Sequence, residues 1–65
     1  MPLLRVSLWS GRTKTEKAEL ARALTETMVR TATVPAEAVT VVFEEFPKEN
    51  WATAGQLHSE RFADR

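Results

Sequence analysis

The second residue of the chain is a proline at the head of a strand-like run, Met1-Pro2-Leu3-Leu4-Arg5-Val6-Ser7-Leu8-Trp9. Proline has no N–H to give a β ladder, so it is tolerated in a strand only at the first position or on an edge. Removal of Met1 would make Pro2 a free secondary amine at a strand tip. A free α-amino group titrates near ~7.7–8.0, close to the pH at which a general base works best. Apolar walls and a nearby arginine would disfavour the ammonium form and lower that value. Attachment to a strand would add positioning. The chemistry open to such an amine is proton transfer. If Met1 stays in place, the same nitrogen is an amide and has no basic lone pair.

Few other side chains are candidates. Arg12 by itself reads as a solvated loop arginine, since arginine is mostly exposed. Beside Pro2 in one folding unit it becomes the best ligand candidate. Trp9 and Trp51 fit interface aromatics, a setting in which tryptophan is enriched. Glu44 and Glu45 suggest a carboxylate pair, but adjacent strand residues face opposite sides and cannot act together. His58 reads as a surface residue of a polar tail, because nothing near it in the sequence would orient it. With no cysteine and one histidine, disulfides, thiolate sites and an all-protein zinc site are disfavoured.

The elements that must position these residues follow from the pattern. Leu4, Val6 and Leu8 alternate with Leu3, Arg5, Ser7 and Trp9, which predicts a strand with one apolar and one mixed face. Gly11 breaks it. Thr13-Lys14-Thr15-Glu16 fits a capping box. Ala18, Leu20, Ala21, Leu24, Met28 and Ala32 recur at helical spacing, while Lys17, Glu19, Arg22, Glu26 and Arg30 fill the other face. A helix is expected from about Lys14 to Thr31, stopped by Pro35, because the residue before a proline avoids the α region. Residues 35–38 suit a short helical turn. Val39 to Phe46 is β-branched and aromatic enough for a second strand. A turn at 47–50 and a short extended piece, Trp51 to Gly55, come next. No structure is expected in the tail, Gln56 to Arg65.

Strand, helix, strand is a βαβ unit with parallel strands and a right-handed crossover. The expected fold is α/β, one β-α-β unit with a C-terminal hairpin, in a single domain over residues 1–65. A chain of ~60 residues buries only about 60% of the surface its unfolded form exposes. Here one helix leaves Leu3, Trp9, Val42 and Phe46 on an uncovered sheet face, and exposed edges and apolar patches invite association. The chain reads as a building block of an oligomer. Nine basic and nine acidic side chains cancel, which argues against a nucleic-acid partner that needs clustered cations. Arg5 and Ser7 interrupt the apolar start, so no signal peptide is expected. No apolar run approaches the ~20 residues of a membrane span. A cytoplasmic protein is expected.

Pro2 after the start methionine, a seven-residue strand, Gly11-Arg12-Thr13 opening a capped helix, and the run VVFEEFPKENWATAG together resemble the 4-oxalocrotonate tautomerase family from Pro2 to about Gly55. The resemblance implies a tautomerase-like fold and a hexamer built as a trimer of dimers. It implies no cofactor. It also implies keto–enol isomerisation of a small enol or dienol acid, with Pro2 as catalytic base. Arg12 would bind the substrate carboxylate and withdraw electrons, Trp51 would take the place of the active-site aromatic, and Trp9 would be an apolar wall. The family's best-known members carry a second arginine from a neighbouring subunit where this chain has Thr40. Its absence disfavours dicarboxylates and favours monoacids such as an aryl enolpyruvate or a simple dienol, since a lost oxyanion donor can cost about 10²–10³ in rate. The hydratase and dehalogenase branch has a glutamate at the position of Thr53 and an arginine at that of Trp9, so water-adding chemistry is disfavoured. The alternative from another class is a non-catalytic oligomeric binding or structural module, which a retained Met1 would favour.

Overall fold

The computed structural model describes residues 1–63. Its framework is β1 (Leu3–Trp9), α1 (Lys14–Ala32) and β2 (Thr40–Phe46), with β1 and β2 parallel and in register from Leu3 opposite Thr40 to Trp9 opposite Phe46. Short 3₁₀ turns at Ala36–Ala38 and Lys48–Asn50 sit where the proline-led turns were expected. A hairpin follows, β3 (Ala52–Thr53) antiparallel to β4 (Gln56–Leu57), and then one helical turn, α2 (His58–Arg61).

Thr13 caps α1 as its sequence requires. Its hydroxyl accepts from the Glu16 N–H at 3.1 Å, while a Glu16 carboxylate oxygen accepts from the Thr13 N–H at 2.9 Å. The helix ends on Thr33 in the left-handed region (φ 57°, ψ 51°). This is unusual for a β-branched residue, and Pro35 two residues later prevents the helix from continuing.

The stripe that α1 lays over the sheet differs from the expected one. Ala18, Leu20 and Ala32 are exposed, whereas Lys17, Ala21, Leu24, Thr25 and Met28 are partly covered. Lys17 belongs to the packed side because its ammonium reaches across to Glu45 on β2 at 2.9 Å, which leaves its side chain 29% exposed. Thr25 is accommodated by donating its hydroxyl to the Ala21 carbonyl at 2.8 Å. Glu44 and Glu45 do face opposite sides. Glu45 points to the helix, and Glu44 meets Arg5 (3.7 Å) and Ser7 (3.3 Å) on the open face.

The tail carries more order than its polarity predicts. The hairpin turn places Ala54 and Gly55 at φ 54° and 79°, the paired positive values of the two-residue turn that matches strand twist. It brings the His58 N–H back to the Trp51 carbonyl at 2.8 Å. Gln56 and Leu57 therefore form a strand, and α2 begins at His58.

No described residue is fully buried, and Leu3 and Val42 remain 52% and 37% exposed on the open sheet face. The radius of gyration is 14.8 Å, whereas a finished domain of this length would have about 11 Å. One helix on one face of two strands cannot close a core.

Both sheet edges are also open. The Thr40 N–H donates to the Pro2 carbonyl at 3.0 Å and the Ser10 N–H to the Phe46 carbonyl at 2.8 Å. With this register, the alternation of a parallel ladder turns the main-chain groups of Leu3, Arg5, Ser7 and Trp9 away from β2. They form an unpaired edge along the whole of β1.

Candidate active site

The residues picked out in the sequence fall into two groups at opposite ends of the sheet. Pro2 and Thr40 are together at one end, joined by the main-chain bond that starts the ladder. Arg12, Trp9 and Trp51 are at the other. Seven strand steps separate Pro2 from Trp9, about 23 Å at the usual rise per residue. One chain therefore does not bring its proline to its own arginine and tryptophans.

At the Pro2 end, the proline is half-buried and Thr40 is exposed. The proline's missing N–H costs no bond, because the carbonyl is the group that pairs with β2.

At the far end, Gly11 adopts φ +121° in open space, a conformation that glycine reaches without strain. This turn sets Arg12 just before the cap of α1. The Arg12 side chain is 64% exposed, and its guanidinium lies 3.8 Å from Glu16. Solvent screens an exposed pair of this kind and leaves it weak, so a substrate carboxylate could take the guanidinium at little cost. The carboxylate of Glu16 is held below its ordinary range, first by the Thr13 N–H that it accepts, with further lowering from the Thr13 hydroxyl and Arg12. Its contribution to stability is thus fully present above the ordinary glutamate range and is lost as pH falls through the lowered folded value. Acid titration of thermal unfolding is expected to show wild type more stable than Glu16→Gln at neutral pH. The difference should vanish in acid; a difference that persisted there would show that charge is not involved.

Trp9 and Trp51 are both half-buried in an aromatic group with Phe46, Phe62 and His58. A shallow hollow of about 340 Å³ lies beside it on the open face, lined by Ser7, Phe46, Asn50, Trp51 and Ala52. Lys48 places its ammonium 4.9 Å from the Trp9 ring and donates to the Phe62 carbonyl at 2.7 Å. A second hollow, of about 450 Å³, lies along the first turns of α1, lined by Lys14, Thr15, Ala18, Glu19 and Arg22.

His58 corrects the sequence reading. It is half-buried and not a free surface residue, and both ring nitrogens are engaged. Trp9 Nε1–H donates to Nδ1 at 3.0 Å, and Nε2 lies 2.8 Å from the Thr53 hydroxyl. Its partners come from β1 and β3, and only the folded hairpin brings them together. The signal available in the sequence was Ala54-Gly55, a two-residue turn that folds position 58 back onto 51.

Of the further cations that could stand in for an arginine at position 40, Arg5 pairs with Glu44 on the open face, and Arg61 lies over the Phe62 ring at 5.6 Å. Arg65 lies outside the described residues. Among those residues, no helix is long and apolar enough to cross a membrane.

A parallel β-α-β unit with an open sheet face, a proline opening β1 and a hairpin closing the far end is the 4-oxalocrotonate tautomerase fold. The crystal structure of TomN, a 4-oxalocrotonate tautomerase homologue in the tomaymycin biosynthetic pathway, superposes with a TM-score of 0.92 at 45% identity over 95% of each chain. A heterohexamer 4-oxalocrotonate tautomerase from Chloroflexus aurantiacus gives 0.88 at 37% identity, covering 92% of this chain and 97% of that one. A probable tautomerase of Ralstonia nicotianae is 44% identical over 55 residues, 85% of this chain and 79% of its own length. The sequence pattern of the family described as "Tautomerase enzyme" matches residues 2–61. The chain belongs to that family.

Proposed function

We propose that this protein is a keto–enol tautomerase for enol or dienol monocarboxylates, with Pro2 as the proton-transfer base and each active site shared between two chains. The observation that carries the reading is the split of the candidate residues between the two ends of β1, with an unpaired strand edge running between them. Two copies that pair these edges antiparallel about a two-fold axis set Leu3 opposite the partner's Trp9, and Arg5 opposite the partner's Ser7. Pro2 of one chain then lies beside the Gly11–Arg12 turn and the indoles of the other. A two-fold contact is isologous, so it creates two such sites at once. The relative from Chloroflexus aurantiacus is a heterohexamer, and an assembly of three such pairs would also cover the open sheet face.

In this site the Pro2 nitrogen, released from Met1, accepts the enol O–H proton. The oxygen's electrons form the carbonyl, and the former alkene carbon takes the proton back from the prolinium. The base is regenerated and no atom is gained or lost. Arg12 holds the carboxylate by two parallel N–H···O bonds and draws charge toward itself as the enolate develops. Trp9 and Trp51 exclude water, which strengthens both effects. Thr40, beside Pro2, brings a hydroxyl in place of a cation. A second carboxylate would find no cationic partner there and would lose solvation on burial.

The test combines intact mass spectrometry of the protein from its host with ultraviolet assays of ketonisation. The expected result is a protein lacking Met1 whose kcat/KM for phenylenolpyruvate at least equals that for 2-hydroxymuconate. A clear preference for the diacid would show that another cation serves the Thr40 end. Retained Met1 with no turnover would leave a binding or structural module.

A further inference from the structure

Trp9 and Trp51 come from different parts of the chain, yet one ring touches both. The His58 imidazole lies edge-on to Trp9, with centroids 5.3 Å apart and planes at 89°, and runs along Trp51 at 6.0 Å and 27°. Phe62 closes the third side at 5.0 Å. The indole N–H is a donor with no acceptor capacity, so His58 Nδ1 must be the acceptor in its 3.0 Å bond with Trp9. The proton of the neutral ring is therefore on Nε2, from which it is donated to the Thr53 hydroxyl at 2.8 Å. Trp9 is held at its N–H by His58, and the Lys48 ammonium lies over its ring.

We propose that His58, as the Nε2–H tautomer held by Thr53, is a positioning residue that fixes the planes of Trp9 and Trp51 and so selects enols bearing a flat, apolar substituent. This rests on the tautomerase reading above. His58 touches neither proton nor carboxylate in that reading; it acts through the indoles. Walls that are set before the substrate arrives do not have to be ordered during binding, and preorganisation of this kind appears as affinity. A flat aryl group lying against both indoles gains from it. A small enol that reaches only Pro2 and Arg12 does not.

The experiment uses the whole protein with ¹⁵N-labelled histidine, and kinetics with an aryl enol (phenylenolpyruvate) and a small one (enolpyruvate). The signals of the uncharged His58 ring should show a protonated Nε2 and an unprotonated Nδ1. His58→Phe keeps a ring in the cluster and loses both bonds. It is expected to raise KM for the aryl enol about tenfold, the scale of the lost bond to Trp9 and one unfixed indole, with kcat within about twofold. KM for the small enol should change by less than about twofold. His58→Asn, which keeps an acceptor near the Nδ1 position, should recover most of the aryl KM. A protonated Nδ1, or unchanged aryl KM in an active His58→Phe protein, would overturn the proposal. So would an equal loss with both substrates, which is the mark of a merely structural residue. Inactivity of the wild type toward every enol would instead overturn the tautomerase reading, and the selective role of His58 would fall with it. The nitrogen signals, which need no substrate, judge the hydrogen-bonded arrangement by themselves.

Discussion

Pro2→Ala is expected to lower kcat/KM for phenylenolpyruvate by about 10²–10³-fold, within the range that a positioned proton-transfer group supplies. The variant keeps an amine after Met1 is removed, so some rate should remain. What it loses is the ring, which ties the nitrogen to the side chain and holds it at one orientation on the strand tip. A primary amine on a freely turning end spends less time aligned with the enol, and alignment is a large part of what an enzyme adds. Steady-state ketonisation with enzyme shown by mass to lack Met1 makes the comparison clean. Full rate in Pro2→Ala would remove this nitrogen from the mechanism.

Mixing two variants that are each nearly inactive is expected to restore activity. In the proposed site, Arg12→Ala chains lack the carboxylate clamp, and Pro2→Ala chains lack the constrained base. If a site takes Pro2 from one chain and Arg12 from its partner, a mixed pair holds one doubly damaged site and one intact site. Unfolding the variants together and refolding them at equal concentration should therefore recover about a quarter of the wild-type sites, from the isologous geometry alone. Each variant refolded alone should stay at its low baseline. The same low baseline in the mixture would place both residues of a site on one chain, and the antiparallel pairing of β1 would be wrong.

Local signals made the framework legible. The alternation from Leu3 to Trp9, the Thr13–Glu16 cap and the β-branched run before Phe46 each act within a few residues, and they gave β1, α1 and β2 to within a residue or so. Lys17 and His58 were misread because their environment is long-range. Lys17 owes its place to Glu45, 28 positions away, and His58 owes its orientation to Trp9, 49 positions away. No window of sequence contains such a pair. Pro2 and Arg12 could be singled out as chemistry, but their placement at opposite sheet ends emerges only from the length and direction of β1. The sharing of a site between two chains, proposed above, rests on that separation, which no sequence pattern displays.

The lack of any fully buried side chain in the described chain has a consequence for the protein's life at low copy number. A subunit with no core of its own draws its folding free energy from its neighbours, so mass action governs whether it is folded at all. For a folded pair in equilibrium with unfolded chains, each tenfold dilution removes about 1.4 kcal/mol of apparent stability. Stability and abundance become one variable. A newly made chain is most exposed to proteases before it meets a second, and a cell that makes too little of it would lose active sites faster than it loses protein.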